Sequence, residues 1–293
     1  MTSNQQQQDR QWLPKSLASQ KPPSLPRKEV VEKAAAAAAV LNNQDSEVET
    51  QESRRLCEHV SLTTGGTCFL AFSRGKDSIA AWLYLRRFFA RIIPFHICVV
   101  PGLSFVDQSL SYYEQWFGTQ ILRLQCGATT GEILSLVYQE PGAETYVDAC
   151  DLWHYERPHI VEVLRSHFNL PNAFVAYGIS GGDSIIRKMY IGERHYSSER
   201  KTFYPCFDWS PTMIIRLISS QGLKLPKDYF LSDRSFATIR NLRALYRMLN
   251  LYPGDFSKIE TVFPLIRACF ARNEFRQHSH KCETKTTKLY KCG

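Results

Sequence analysis

The chain has 293 residues, of which 44% are apolar and 22% charged, an ordinary globular balance that excludes a wholly disordered, collagen-like or coiled-coil protein. Its net charge of +8 favours phosphate-bearing partners, either nucleotides or nucleic acid. Nine cysteines, an odd count at irregular spacing with no Cys-x-x-Cys pair, argue for reduced thiols in a cytosolic protein, and no apolar run reaches the roughly 18 residues of a membrane span.

In chain order, residues 1–55 read as a disordered tail: Gln5 to Gln8, then Pro22, Pro23 and Pro26, then Ala34 to Ala39 within a polar stretch that buries little. Lys28 to Leu41 is the one segment there with helix propensity. From Leu56 the pattern alternates. Apolar runs at Cys68–Phe72, Ile92–Val100, Ile121–Leu124 and Ala173–Tyr177 predict strands, and helical spacing predicts helices over Ile79–Phe89, Val106–Phe117 and Arg157–Phe168. Short buried strands alternating with helices predict an α/β fold, a Rossmann-like parallel sheet with helices on both faces, over 56–210. Ligands of such sheets bind outside the carboxyl ends of the strands. Residues 211–276 read as a helical extension, with helices over Pro211–Ser220, Arg234–Leu249 and Phe263–Phe270, and 277–293 as a basic tail.

The motif that carries chemistry is Ser73-Arg74-Gly75-Lys76-Asp77-Ser78, placed between the first strand and the first helix. A Gly-containing turn lets backbone N–H groups converge on an anion, the helix N-terminus adds its dipole, and Lys76 supplies a mobile cation. Ser73 and Ser78 bring hydroxyl donors. Asp77 either orients Mg²⁺ carried by a nucleotide or caps the helix. The loop is not a Walker A sequence, because Asp77 follows Gly75-Lys76 and no glycine stands five residues before Gly75. A strand-to-helix turn without a ligand is the alternative.

Ser-x-Gly-Lys-Asp-Ser after an opening strand resembles the pyrophosphate-binding loop (PP-loop) of the adenine-nucleotide hydrolase-like superfamily, usually Ser-Gly-Gly-x-Asp-Ser, with Arg74 in place of the first glycine. Lys-Asp-Ser is the form of the branch that contains the phosphoadenosine phosphosulfate (PAPS) reductases. Gly178-Ile-Ser-Gly-Gly-Asp183-Ser184-Ile-Ile-Arg187 is similar to the family's Gly-x-Arg-x-x-Asp/Glu-Ser-x-x-Arg, with Ser180 where the first arginine is expected. Tyr204-Pro205-Cys-Phe-Asp208-Trp209-Ser210 resembles its Pro-x-x-Asp-Trp segment; a structural alternative has Ser210 capping a helix, Pro211 in its first turn and Trp209 packing. Leu225-Pro-Lys-Asp-Tyr229 and Arg234-Ser-Phe236 resemble the C-terminal extension of bacteriophage-encoded members, so the resemblance spans about 66 to 276. It implies that Ser73, Arg74, Gly75, Lys76, Asp77, Ser78, Gly178, Asp183, Ser184 and Arg187 bind ATP or PAPS with Mg²⁺ at Asp77. It also implies a cytoplasmic enzyme, in the host cytoplasm if phage-encoded.

Two chemistries share that scaffold. Adenylation releases pyrophosphate and would use Lys76 and Asp77; sulfonucleotide reduction needs a cysteine nucleophile near the C-terminus and thioredoxin as partner. The chain ends Lys291-Cys292-Gly293, so Cys292 is the one candidate nucleophile, without the acidic residue before it or the Leu-His after it. A non-catalytic nucleotide-binding protein is the third reading. His278, His280, Cys282 and Cys292 have ligand chemistry for zinc at an unusual spacing, a solvated tail being the alternative.

The charge is uneven: residues 1–55 carry +1, 187–201 +3, 232–249 +3 and 271–293 +4, and the remainder is negative. Arg240, Arg243 and Arg247 fall at helical spacing. They suit either a nucleic-acid backbone or a solvated helix face.

Overall fold

The protein is described from a computed structural model, which covers residues 49–125, 127–149, 157–183, 189, 191, 194–232 and 235–272. The elements run α1 (Gln51–Thr63), β1 (Thr67–Ala71), α2 (Lys76–Leu85), β2 (Arg91–Cys98), α3 (Ser104–Phe117), β3 (Leu122–Gln125), α4 (Gly127–Leu134), α5 (Glu144–Ala149), α6 (Arg157–His167), β4 (Phe174–Tyr177), β5 (Tyr196–Ser197), β6 (Thr202–Phe203), α7 (Pro211–Ser220), α8 (Tyr229–Ser232), α9 (Leu242–Leu251) and α10 (Pro253–Val262).

The strands form one sheet in the order β3-β2-β1-β4-β6-β5, parallel except for β5 against β6. Alternation along each strand sends side chains to two cores. Phe69, Ile93, Phe95, Leu122 and Val175 pack with Ile160, Val161 and Leu164 of α6 on one face. Cys68, Leu70 and Phe174 pack with α2, α3 and α7 on the other. The chain leaves β1 towards β2 and β3 and returns to β1's other side as β4. Their carboxyl ends therefore form the switch point at which ligands of such sheets bind. Ala71 lies opposite Tyr177, so the loops leaving both strands start side by side.

The helical extension docks on α3. Leu103 caps α3 without a side-chain bond, and Asp255 of α10 supplies the missing acceptor. Its carboxylate accepts from Ser104 N–H at 2.8 Å and Ser104 Oγ at 2.7 Å. Tyr113 Oη donates to Lys224 O at 2.8 Å, and Lys224 N–H donates to Tyr112 Oη at 3.1 Å.

Several sequence expectations need correction. Gln51 to Arg55, assigned to the tail, begin α1, where Ser53 is buried and its hydroxyl donates to Asp208. The helix expected over Arg234–Leu249 begins at Leu242, because Asn241 caps it by accepting from Ala244 N–H at 3.1 Å. Helix α10 and the β5–β6 pair were not anticipated; two-residue strands carry no readable alternation. The Ala-rich segment 28–41 and the basic tail 277–293 lie outside the described residues. Among the described residues, no helix is long and apolar enough to cross a membrane.

Candidate functional site

The loop after β1 is shaped by what its residues lack. Gly75 is the N-cap of α2 and offers no side-chain acceptor, so the first turn has no side-chain cap of its own. Gly75 N–H donates to Ser73 Oγ at 3.3 Å, and Ser78 Oγ, 3.2 Å from Ser73 Oγ, donates back to Gly75 O at 2.9 Å. Lys76 N–H is met from outside the loop, by the hydroxyl of Tyr229 at 2.8 Å. Lys76 Nζ and Asp77 Oδ1 pair at 2.8 Å, and both side chains are partly exposed at the loop's mouth. Asp77 therefore supplies a carboxylate beside a cation rather than the helix cap. Among the described residues, no three His, Cys, Asp or Glu side chains come together as a metal centre.

Gly178 locks the second loop against the first. A β-carbon at Gly178 would lie 2.3 Å from Ser78 Cα, 2.6 Å from Ser78 N and 2.8 Å from Asp77 O, all backbone atoms. Any side chain there would drive β4 and α2 apart. Beyond it, Gly181 N–H donates to Phe207 O at 2.9 Å, and a β-carbon at Gly182 would meet Pro211 Cδ and Trp209 O at 2.8 Å. Ser180 is fully buried, and its hydroxyl finds no hydrogen-bond partner among the described residues. Asp183 closes a single 3₁₀ turn, Gly181–Asp183; Ser184 and Arg187 lie outside the described residues.

The expectation that Arg74 faces a phosphate is not met in this arrangement. Arg74 holds a left-handed backbone at φ 65°, the conformation that suits glycine, and its side chain is wholly buried. Its Nη2 pairs with Asp228 Oδ2 at 3.0 Å and lies 3.4 Å from Phe236 O, while Asp228 Oδ2 also accepts from Phe236 N–H at 2.7 Å. Nε and Nη1 of Arg74 and Oδ1 of Asp228 find no partner among the described residues.

Beneath the loop lies His96. Its Nδ1 is 2.8 Å from Phe72 O, which can only accept, so Nδ1 carries the proton. Burial, helped by the nearby Arg74 charge, pushes its pKa down to about 3 and keeps the ring neutral. Tyr229, Asp228 and His96 went unnoticed as site residues because contacts between distant segments leave no periodic trace; the Lys-Asp-Tyr229 resemblance was the one available signal.

Cys57, Cys68 and Cys206 are buried, and burial raises each thiol above its usual pKa, the opposite of a reactive thiolate. Cys98 is buried too, whereas Cys269 is only partly covered. Cys292 and the possible zinc set His278, His280 and Cys282 lie outside the described residues. At Asp208-Trp209-Ser210 the structural alternative is what is seen: Ser210 Oγ caps α7 by accepting from Met213 N–H at 3.3 Å, Pro211 opens it, and Trp209 is buried against Tyr84. The arginine stripe is broken up. Arg240 precedes α9 and pairs with Glu132 at 3.1 Å, while Arg247 donates to Leu231 O at 3.2 Å. Arg243 is exposed on α9.

No family model matches the chain, and no curated protein matches it. Among solved structures it is similar to the U34-tRNA thiolase NcsA of Methanococcus maripaludis, 14% identical, with 74% of this chain and 78% of that one covered and a TM-score of 0.38. It is similar to the NH3-dependent NAD synthetase of Campylobacter jejuni, 11% identical, with 85% and 95% covered and a TM-score of 0.36. A NAD+ synthetase from Burkholderia pseudomallei is 15% identical, with 86% and 99% covered and a TM-score of 0.38. Likenesses this distant add nothing to the site's own geometry.

Proposed function

We propose that the chain binds the phosphates of ATP, or of a related adenosine nucleotide, at residues 73–78 and activates an acceptor by adenylyl transfer with release of pyrophosphate. The observation that supports this best is the loop's place: a helix start with a glycine N-cap, carrying Lys76 and Asp77, at the β1–β4 switch point, pressed against Gly178. The adenosine part of the reading comes from the loop's resemblance to PP-loops.

In this reading an acceptor oxygen bonds to the α-phosphorus as the bond from that phosphorus to the bridging oxygen breaks. The bridging oxygen leaves with the electron pair in pyrophosphate, and the acceptor's proton passes to water. The Lys76 ammonium offsets the leaving charge, and the α2 dipole orients the phosphate chain. Asp77 together with phosphate oxygens would hold Mg²⁺, which supplies charge neutralisation. The surplus positive charge lies in C-terminal blocks outside the loop, so nucleic acid is the acceptor class to test first.

Purified protein would be incubated with Mg·ATP, with and without tRNA or DNA, and in parallel with PAPS and reduced thioredoxin. Pyrophosphate release is expected. Lys76→Ala should weaken ATP binding about 10- to 100-fold, the loss of a charge-assisted contact. Binding that neither Lys76→Ala nor Asp77→Ala changes would sink the loop assignment. Sulfite release that Cys292→Ala abolishes would establish the reductase instead, and binding without turnover would leave a nucleotide-binding protein.

A further inference from the structure

The C-terminal extension brings its own hydroxyls to Gly75 and Lys76. A β-carbon on Gly75 would sit 3.3 Å from Ser73 Oγ, 3.4 Å from Ser235 Oγ and 3.8 Å from Tyr229 Oη, three hydroxyls gathered beside the start of α2. Two of the three hydroxyls belong to the C-terminal extension, and the Tyr229 hydroxyl occupies the Lys76 N–H at 2.8 Å.

We propose that Tyr229 gates the loop: its hydroxyl holds the position of a phosphate oxygen on the Lys76 amide until a nucleotide displaces it. The proposal rests on the nucleotide reading of the loop and adds that the chain's own extension covers the loop until a nucleotide enters.

The attachment of this cover is incomplete in a way that suits release. Arg74 grips it through Asp228 and the Phe236 carbonyl, yet two guanidinium nitrogens and one carboxylate oxygen of this fully buried pair find no partner among the described residues. A buried ion pair is favourable only when its remaining hydrogen-bonding groups are also met. Among the described residues the loop itself holds the cover by the Arg74–Asp228 contact, the longer bond from Arg74 to Phe236 O and the bond from Lys76 N–H to Tyr229, while the buried Leu231 and Phe236 and the Arg247 bond to Leu231 O anchor it elsewhere. Rearrangement would let Arg74 meet solvent or phosphate with the groups it now leaves idle. The hydroxyl of Tyr229 is well chosen as a placeholder, since it accepts from the amide as a phosphate oxygen does, without a charge to bury.

The test compares the wild-type protein with Tyr229→Phe, both checked for folding by thermal unfolding. Calorimetry would measure binding of Mg·ATP and of inorganic pyrophosphate, and hydrogen exchange would follow residues 226–232. Tyr229→Phe removes the hydroxyl that competes with the ligand for the Lys76 N–H, so it should bind either probe about fivefold tighter, the worth of one neutral hydrogen bond. Exchange over 226–232 should speed up when wild-type protein binds ATP, because the cover leaves. Weaker binding by Tyr229→Phe, with slower exchange on binding, would make Tyr229 a ligand contact and overturn the gate. Unchanged affinity in a protein whose ATP binding still depends on Lys76 would overturn the gate alone. Absence of binding of either probe to both proteins would overturn the gate and the nucleotide reading together.

Discussion

The two loops at the switch point look alike in sequence and are used differently. Ser73-Arg-Gly-Lys-Asp-Ser78 and Ser180-Gly-Gly-Asp-Ser184 both combine serine, glycine and aspartate after a central strand. The first opens onto a ten-residue helix, keeps Lys76 and Asp77 partly exposed, and is met by the Tyr229 hydroxyl, by Asp228 and Phe236 on Arg74, and by the backbone of Gly178. The second is absorbed by the fold: Gly181 N–H is used by Phe207 O, Gly182 is pressed against Pro211 and Trp209, and Ser180 is sealed. Glycine serves two physical ends here. At 75 it leaves a helix start uncapped, and at 178 and 182 it lets backbones touch. A Gly-rich loop can bind an anion only where its amides can be freed to face it.

The strongest way to break this comparison is to separate the loops. Gly178→Ala puts a methyl group 2.3 Å from Ser78 Cα, and no neighbouring atom is a flexible side-chain end that could yield. Stability should fall by about 3 kcal/mol or more, measured by urea unfolding, because the clash is backbone on backbone and β1 and β4 are central strands. A loss below about 1 kcal/mol would mean that the two loops do not sit against each other as described.

The next test concerns what lies under the first loop alone. His96 holds the Phe72 carbonyl at the root of residues 73–78, and its pKa falls from 6.5 to about 3, chiefly through burial and secondly through Arg74. A histidine with a depressed folded pKa contributes stability that is present above the unfolded value and is lost as pH falls towards the folded one. Between pH 6.5 and 5 the unfolded chain takes up this proton and the folded protein does not. The wild type should therefore lose about 2 kcal/mol over that window from this group. His96→Asn, whose amide can still donate to Phe72 O, should show a smaller decline by that amount in urea titrations. Parallel pH curves for the two proteins would show that His96 titrates normally and that the layer beneath the loop is wet.

What could be read ahead of the structure follows from the range of the interactions. The four long parallel strands, α2, α3 and α6 have local periodicity, and their positions were legible to within a few residues. So was the loop, because strand, glycine turn and helix are consecutive. Arg74 shows where such reading stops. Its charge suggested a phosphate contact, but φ 65° turns the side chain into the protein, where Asp228 and Phe236, far along the chain, receive it. The same holds for Arg240, which reads as part of a helical stripe and instead precedes the helix to pair with Glu132. Tertiary partners of charged side chains are set by which segments fold back, and no window along the sequence contains that information.

The smallest expected effect sharpens the comparison most. Ser180 stands where the resembling family carries an arginine, and its hydroxyl is buried without a partner among the described residues. A buried hydroxyl that makes no bond loses its hydration for nothing, so Ser180→Ala should leave stability unchanged or raise it by up to about 1 kcal/mol. With Gly181 and Gly182 held by Phe207, Trp209 and Pro211, ATP affinity should stay within about twofold of the wild type, a margin below the worth of one hydrogen bond. A severalfold loss of affinity with stability intact would mean that the hydroxyl waits for the ligand. The buried donor would then be a reserved contact, and the second loop would belong to the nucleotide site alongside the first.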